Sequence, residues 1–195
     1  MNPALLTLLL ANFAAIGALP LFFFRRDGRL NLAWLATAIP FFLMVGTLLA
    51  AAIGWLHAVN APDVAMQAAL ESSAALASAA SLGLLGLTVG SHRVPLALWH
   101  QERQRDVPSG IVTWGPYSRI RHPFYSSFLL AFAAACFAFP HVATAMLLFY
   151  AAVALTVTAM REERRLASSV FGAHYRDYMA RTGRFVPRLG AWAHG

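Results

Sequence analysis

The chain has 195 residues, of which 59% are hydrophobic and 12% charged, and its mean hydropathy is +0.59. Charged residues make up about 25% of an ordinary soluble domain, so this composition excludes that class and indicates a membrane-embedded protein. The length leaves room for a single domain, 1–195, and not for a membrane bundle plus a separate soluble enzyme. The lone Cys136 excludes a disulfide framework and a two-cysteine metal or redox motif.

Five apolar stretches follow one another along the chain, each close to or above the length of a membrane-spanning helix. The first has neither the preceding positive charge nor the cleavage site of a signal peptide, so we expect a membrane anchor. Only Pro140 and His141 separate the fourth stretch from the fifth, which predicts a short helical hairpin. The stretches are Ala4–Phe24, Leu32–Leu56, Met66–Val89, Tyr125–Phe139 and Val142–Met160.

The expected fold is therefore all-α and integral to the membrane, with five transmembrane helices. Residues 1–90 form a three-helix N-terminal part. Residues 91–195 contain a polar loop, the hairpin and a C-terminal helical segment on the cytoplasmic side.

The arginines predict the orientation of this bundle. All 15 basic residues are Arg, and with five spans they all lie on the side of the C-terminus. The positive-inside rule makes that side cytoplasmic and places the N-terminus outside. Membrane topology and attraction to anionic lipids thus explain the pI of about 10.7, and no motif indicates nucleic-acid binding. The absence of Lys indicates a GC-rich genome, and we expect the protein in the inner or plasma membrane of a bacterium.

Several other polar or small residues favour packing over chemistry. Gly83, Gly86 and Gly90 recur near one helical face, which is typical of close helix packing, and the serines of 72–81 also indicate packing. Glu71 lies near the outer end of the third stretch and is a weaker functional candidate. The histidines are dispersed, and no spacing resembles a metal site.

The run from Gly115 to Tyr125 is the main functional candidate. It places two arginines, a histidine and two tyrosines where a membrane helix is about to begin, and polar groups there are costly unless they bind a ligand or one another. The hairpin starts after this run and ends just before Glu162-Glu163, so it brings arginine, histidine and paired carboxylates together. Such a group could bind a zwitterionic or cationic cofactor.

The same residues carry a resemblance to a known family. Ile111–Tyr117 followed by Arg121–Tyr125 resembles the VTxGPYxxxRHPxY signature of the isoprenylcysteine carboxyl methyltransferase and phospholipid methyltransferase group of membrane enzymes. The second half of the chain is similar to the EExxL, FGxxYxxY and RxxRFxP pattern of that group. The resemblance covers roughly Ile111–Pro187. It differs at Ser126-Ser127, where a glycine is usual, and in one extra residue between Glu162-Glu163 and Phe171-Gly172.

This resemblance implies an S-adenosylmethionine-dependent methyltransferase that acts on a lipophilic or lipid-anchored acceptor, with membrane lipids around it. Arg121 and Arg181 would orient an acceptor carboxylate, such as that of an isoprenylcysteine, and no metal is required. Which of the two glutamates contacts the cofactor stays open. The implied cofactor-binding residues are Gly115, Pro116, Tyr117, His122, Pro123, Tyr125, Glu162 and Glu163.

The chemistry of the acceptor leaves alternatives. A carboxylate is already ionised and needs no base, and guanidinium groups could hold it in a bidentate fork. A phospholipid amine or a thiol would have to lose a proton, and Glu162, Glu163 or His122 could then act as base. An NADPH-dependent reductase of the sterol type and a non-catalytic membrane component are further hypotheses. Tyr175 and Tyr178, three residues apart on one helical face, are interpreted as packing residues.

Overall fold

The structure is a computed structural model that describes residues 2–17, 32–58, 63–91 and 111–188. These residues form six α-helices and a short 3₁₀ turn at Gly115–Ser118. The all-helical class predicted from the sequence is confirmed. The helices are α1 (Pro3–Gly17), α2 (Leu32–Ala52), α3 (Val64–Gly90), α4 (Pro123–Ala138), α5 (Val142–Ala167) and α6 (Gly172–Arg181).

The helices follow the predicted stretches with shifted ends. The described part of the first stretch ends at Gly17, and the predicted residues 18–24 lie outside the described residues. Helix α2 ends at Ala52, four residues before the predicted end, whereas α3 and α4 begin two residues earlier than predicted. Helix α5 continues seven residues past Met160, so Glu162 and Glu163 lie on helix and not in a loop.

Helix α4 occupies the centre of the described bundle. It packs along α3 and also contacts α1, α2 and α5. Small side chains allow this crowding, since Ala131, Ala134 and Ala135 are completely buried. The turn from α4 to α5 is closed by His141, whose Nδ1 accepts a hydrogen bond from the N–H of Ala143 at 3.0 Å. The predicted hairpin is therefore present, and it returns the chain to the end of the bundle where α4 begins.

A buried polar group joins three helices. The Asn12 amide on α1 donates to the Ser78 hydroxyl on α3 at 2.9 Å. The Ser81 hydroxyl contacts Asn12 Oδ1 and donates to the carbonyl of Ser127 on α4 at 2.7 Å. All of these residues are fully buried. Ser78 and Ser81 are thus packing residues, as predicted, and they also satisfy buried polar groups that would otherwise destabilise the bundle. Ser72, by contrast, is exposed.

The three glycines of α3 differ from the expectation. A Cβ added at Gly83, Gly86 or Gly90 would meet no atom of the described residues within 4 Å. The buried face of α3 instead carries larger side chains at Leu85 and Thr88. Inside the described bundle, the close packing expected at these glycines is therefore absent.

Two helices of the described residues, α3 and α5, are long and apolar enough to cross a membrane. Pro3–Gly17, Ala38–Ala52 and Pro123–Ala138 are shorter apolar helices. The outward face of α5 is itself apolar, with Met146, Phe149 and Val153 exposed. A helix that is apolar on its outer face is typical of hydrocarbon surroundings, which supports membrane character.

Candidate functional site

Helix α4 begins at the predicted Arg-His-Pro run. Pro123 stands in its first turn, where the missing N–H costs no hydrogen bond. The rings of His122 and Tyr125 stack with centroids 5.3 Å apart and planes 3° apart. Phe185 lies edge-on to His122 at 6.2 Å, and its carbonyl accepts a hydrogen bond from the Ser126 hydroxyl at 2.6 Å. The rings of His122, Tyr125 and Phe185 are called the aromatic group below.

The segment after α6 is fixed beside the segment before α4. A parallel β-bridge joins Ile120 to Gly183. The N–H groups of the two residues after Ile120 donate to the carbonyls of Gly183 and Arg184 at 2.8 and 3.0 Å. A Cβ on Gly183 would lie 1.8 Å from the carbonyl oxygen of Val186, so only glycine fits this turn. Two motifs about 60 residues apart in sequence thus meet through their backbones.

Glu163 is the centre of an ion cluster that also contains Arg121 and Arg184. It follows Leu155 and Ala159 at four-residue intervals on the buried face of α5, so the helix itself directs the carboxylate inward. Its Oε1 accepts a hydrogen bond from Arg121 Nε at 2.9 Å. Its Oε2 accepts one from Arg184 Nη2 at 2.7 Å. The ion cluster therefore joins α5 to the segments before α4 and after α6.

The two guanidinium groups determine the ionisation of Glu163. Burial raises the pKa of this carboxyl, but hydrogen bonds from Arg184 and Arg121 outweigh burial and lower it from 4.5 to about 2. Arg121 also donates through Nη1 to the carbonyls of Met179 and Thr182, which belong to the unpaired carbonyl end of α6. Two cations and one anion leave the ion cluster with a net positive charge.

Glu162 contacts the aromatic group instead. Its Oε1 accepts a hydrogen bond from the Tyr125 hydroxyl at 2.9 Å, and its Oε2 lies 3.6 Å from His122 Nδ1. Its side chain is 25% exposed, whereas that of Glu163 is 7% exposed. The two neighbouring glutamates thus have different surroundings, and Glu162 is the one that a ligand can reach.

His122 has an unusual buried nitrogen. Its Nε2 lies 3.3 Å from Glu163 Oε1. Nevertheless, among the described residues it is the one fully buried side-chain nitrogen or oxygen that makes no hydrogen bond. Burial lowers the pKa of His122 below 6.5, although Glu162 and Glu163 act in the opposite direction. The ring is therefore neutral at neutral pH.

The predicted loop from Gly115 to Tyr117 packs against the end of α3 and against α6. Gly115 has φ +60°, and a Cβ there would lie 2.2 Å from the Ser91 hydroxyl oxygen, so both conformation and space require glycine. The Tyr117 carbonyl accepts a hydrogen bond from the Tyr178 hydroxyl at 2.7 Å. These contacts are structural, and a contact of this loop with a cofactor stays a prediction.

Arg181 is not part of the ion cluster. Its side chain is exposed, and its Nε donates to the carbonyl of Asp177 at 3.3 Å, one turn earlier on α6. Arg184, and not Arg181, joins Arg121 in binding Glu163. The role predicted for Arg181, orienting an acceptor carboxylate together with Arg121, stays a prediction. Arg181 and Arg184 belong to the same RxxRF motif, but the turn after α6 directs only the second towards α5.

Phe185 and Ser126 were also missed by the sequence analysis. Phe185 directly follows Arg184 in the RxxRFxP motif, and this motif was the sequence signal that could have identified it. Ser126 was noted only as a substitution for glycine, yet its hydroxyl holds the Phe185 backbone. No group of three or more His, Cys, Asp or Glu side chains in the described part of the chain could hold a metal ion.

The chain is similar to the cobalt-zinc-cadmium resistance protein CzcN of Cupriavidus metallidurans, with 31% identity over 113 residues. The match covers 57% of this chain and 50% of CzcN, so the chain spans about half the length of that relative. No family model and no solved structure matches the chain.

Proposed function

We propose that this protein transfers a methyl group from S-adenosylmethionine to a lipophilic acceptor at the cytoplasmic surface of a membrane. The observation that carries the proposal is the convergence on Glu163 of Arg121, which precedes α4, and Arg184, which follows α6. These segments and the end of α5 are the three parts of the chain that resemble the membrane methyltransferases. Their resemblance is thus matched by direct contact between them.

The residues of the site fit the cofactor. S-adenosylmethionine, when bound, supplies an electrophilic methyl group on a positively charged sulfur. A carboxylate beside aromatic rings suits such a cation, and Glu162 lies against Tyr125 and His122 in this way. The buried, unpaired Nε2 of His122 is a further polar atom that a ligand could satisfy. Glu163 is 7% exposed and paired with two arginines, whereas Glu162 is 25% exposed and lies beside the aromatic group, so we assign the cofactor contact to Glu162.

The ion cluster favours a carboxylate as the acceptor group, such as that of an isoprenylcysteine. Arg121 and Arg184 give it a net positive charge even after Glu163 is counted, and their planar donors suit carboxylate oxygens. Such an acceptor attacks without prior loss of a proton, so the protein has to orient it and exclude water. A phospholipid amine or a thiol would need a base, and the neutral imidazole of His122 could take that proton.

The proposed topology has five spans, with the N-terminus outside and the C-terminus in the cytoplasm. Helices α3 and α5 have sufficient length and apolar character, and the arginines of the C-terminal part lie at the end of the bundle that holds the ion cluster. Cysteine labelling from either side of oriented vesicles would test this topology. Labelling of the turn near Pro140 from the cytoplasmic side would contradict it.

Cofactor binding is the first test of the proposed function. Purified wild-type protein in detergent is expected to bind S-adenosylhomocysteine in isothermal titration calorimetry. Transfer of radiolabelled methyl groups to prenylcysteine, phospholipid and thiol acceptors would identify the acceptor class. Binding of NADPH in place of the sulfonium compounds would support the reductase hypothesis, and binding of neither would support a non-catalytic role.

A second candidate is a role in resistance to metal ions, which the similarity to CzcN favours. It is compatible with methyl transfer, because resistance describes an outcome for the cell. Deletion of the gene is expected to lower the cobalt, zinc or cadmium concentration that stops growth. Complementation with Glu162→Gln would show whether that role needs the proposed cofactor contact, and unchanged growth of the deletion strain would refute the role.

A further inference from the structure

Two tyrosines on the inward face of α6 have different surroundings. Tyr175 and Tyr178 are 3% and 6% exposed, and their ring centroids lie 5.8 Å apart. From the sequence both were interpreted as packing residues. Their burial agrees with packing, but packing does not require a hydroxyl group, so the partners of the two hydroxyls distinguish them.

Among the described residues, the Tyr178 hydroxyl has a hydrogen-bond partner, whereas the Tyr175 hydroxyl has none. The Tyr178 hydroxyl donates to the carbonyl of Tyr117 at 2.7 Å. The Tyr175 hydroxyl makes no hydrogen bond with any described residue. Only His122 Nε2 is both fully buried and unpaired in the described part of the chain. The Tyr175 hydroxyl is therefore not fully enclosed and reaches open space, although its ring is buried.

Tyr175 lies close to the ion cluster, because Arg121 donates to the carbonyl of Met179, one turn after Tyr175 on α6. Burial is the main cause that raises the pKa of Tyr175 well above 10, and the neighbouring charge of Glu163 raises it further, while Arg121 acts in the opposite direction. The hydroxyl is therefore protonated at neutral pH and available as a donor. Each oxygen of Glu163 already accepts two hydrogen bonds from the arginines, so they do not take up this donor.

We infer that the Tyr175 hydroxyl donates a hydrogen bond to a carboxylate oxygen of a ligand bound beside the ion cluster. This inference rests on the proposed function, because both molecules of that reaction carry a carboxylate. One belongs to the methionine part of the cofactor, and the other is the proposed acceptor group. A neutral donor next to net positive charge suits either, and Glu162 on the aromatic side is the proposed contact for the positive part of the cofactor.

The experiment compares Tyr175→Phe with Tyr178→Phe in the full-length protein. Tyr175→Phe removes a hydroxyl that makes no hydrogen bond with the described part of the chain, so the Tm of this variant is expected to equal that of the wild type. Tyr178→Phe loses a hydrogen bond within the protein, and a Tm lower by about 2–4 °C is expected. A Tyr175→Phe variant with the same loss of Tm would assign its hydroxyl to the fold and overturn the inference.

Binding then identifies the source of the carboxylate. If the carboxylate belongs to the cofactor, Tyr175→Phe weakens the binding of S-adenosylhomocysteine roughly tenfold or more and leaves the binding of its decarboxylated analogue unchanged. If it belongs to the acceptor, S-adenosylhomocysteine binds normally and the acceptor KM rises by a similar factor. If Tyr175→Phe changes neither the binding of S-adenosylhomocysteine nor the KM of any acceptor, the inference is overturned and the proposed function is not. A wild-type protein that binds no S-adenosylhomocysteine overturns the proposed function, and the inference with it.

Discussion

Glu163→Gln should mainly lower stability, whereas Glu162→Gln should mainly weaken cofactor binding. Glu163 is buried and accepts hydrogen bonds from Arg121 and Arg184 through both oxygens. Removing one partner of a buried ion pair costs about 3–5 kcal/mol, since the remaining charge is left uncompensated. For a chain of this length each kcal/mol corresponds to about 2–4 °C. We therefore expect Glu163→Gln to lower the Tm by roughly 6–20 °C.

Glu162→Gln is the matched control. Glu162 is 25% exposed, and a glutamine oxygen can still accept the hydrogen bond that Glu162 accepts from the Tyr125 hydroxyl. The Tm should fall by no more than about 2–4 °C, corresponding to about 1 kcal/mol. If Glu162 binds the positively charged part of the cofactor, Glu162→Gln weakens the binding of S-adenosylhomocysteine roughly tenfold or more. Differential scanning fluorimetry and calorimetry in one detergent measure both effects. Equal Tm losses in the two variants would refute the division of roles.

Three further predictions concern the pH, two glycine positions and the cap of α5. The pKa of Glu163 is lowered in the folded protein from 4.5 to about 2, so its ion pairs stabilise the fold above pH 4.5 and are lost as the pH falls towards 2. The Tm difference between the wild type and Glu163→Gln should therefore shrink between pH 4.5 and pH 2. Gly183→Ala should destabilise, since its Cβ would lie 1.8 Å from a carbonyl oxygen, whereas Gly83→Ala, with nothing within 4 Å, should raise stability by about 0.5–1 kcal/mol in a denaturant titration. His141→Ala removes the cap of α5 and should cost about 1 kcal/mol in the same titration, and an unchanged midpoint would contradict the capping role.

The helices could be predicted because apolar length is a local property of the sequence. The five stretches and the hairpin at Pro140 correspond to α1–α5 within the described residues. The ends of the helices could not be predicted in this way, since a helix can continue through polar residues when residues distant in sequence bind their side chains. Helix α5 extends past Met160 for this reason, because Glu163 finds two arginines on other segments.

The site was predicted as a neighbourhood and not as a set of contacts. The sequence indicated that the Arg-His-Pro run and Glu162-Glu163 would meet, and they do. It could not choose between Arg181 and Arg184, because that choice depends on the turn at Gly183. That turn is set by contacts with the segment before α4, which are distant in sequence.

The ion cluster is better explained by the orientation that it gives to two chain segments than by a contribution to stability. Apolar residues of similar volume in place of a buried ion pair are often as stable or more so, because burying charges is itself costly. The arginines of this cluster, however, come from two segments outside the helices, and Glu163 holds both at one point on α5. That point lies one residue from Glu162 and beside His122. An apolar cluster would pack these segments without fixing their direction, whereas directed hydrogen bonds fix the geometry of the aromatic group against Glu162.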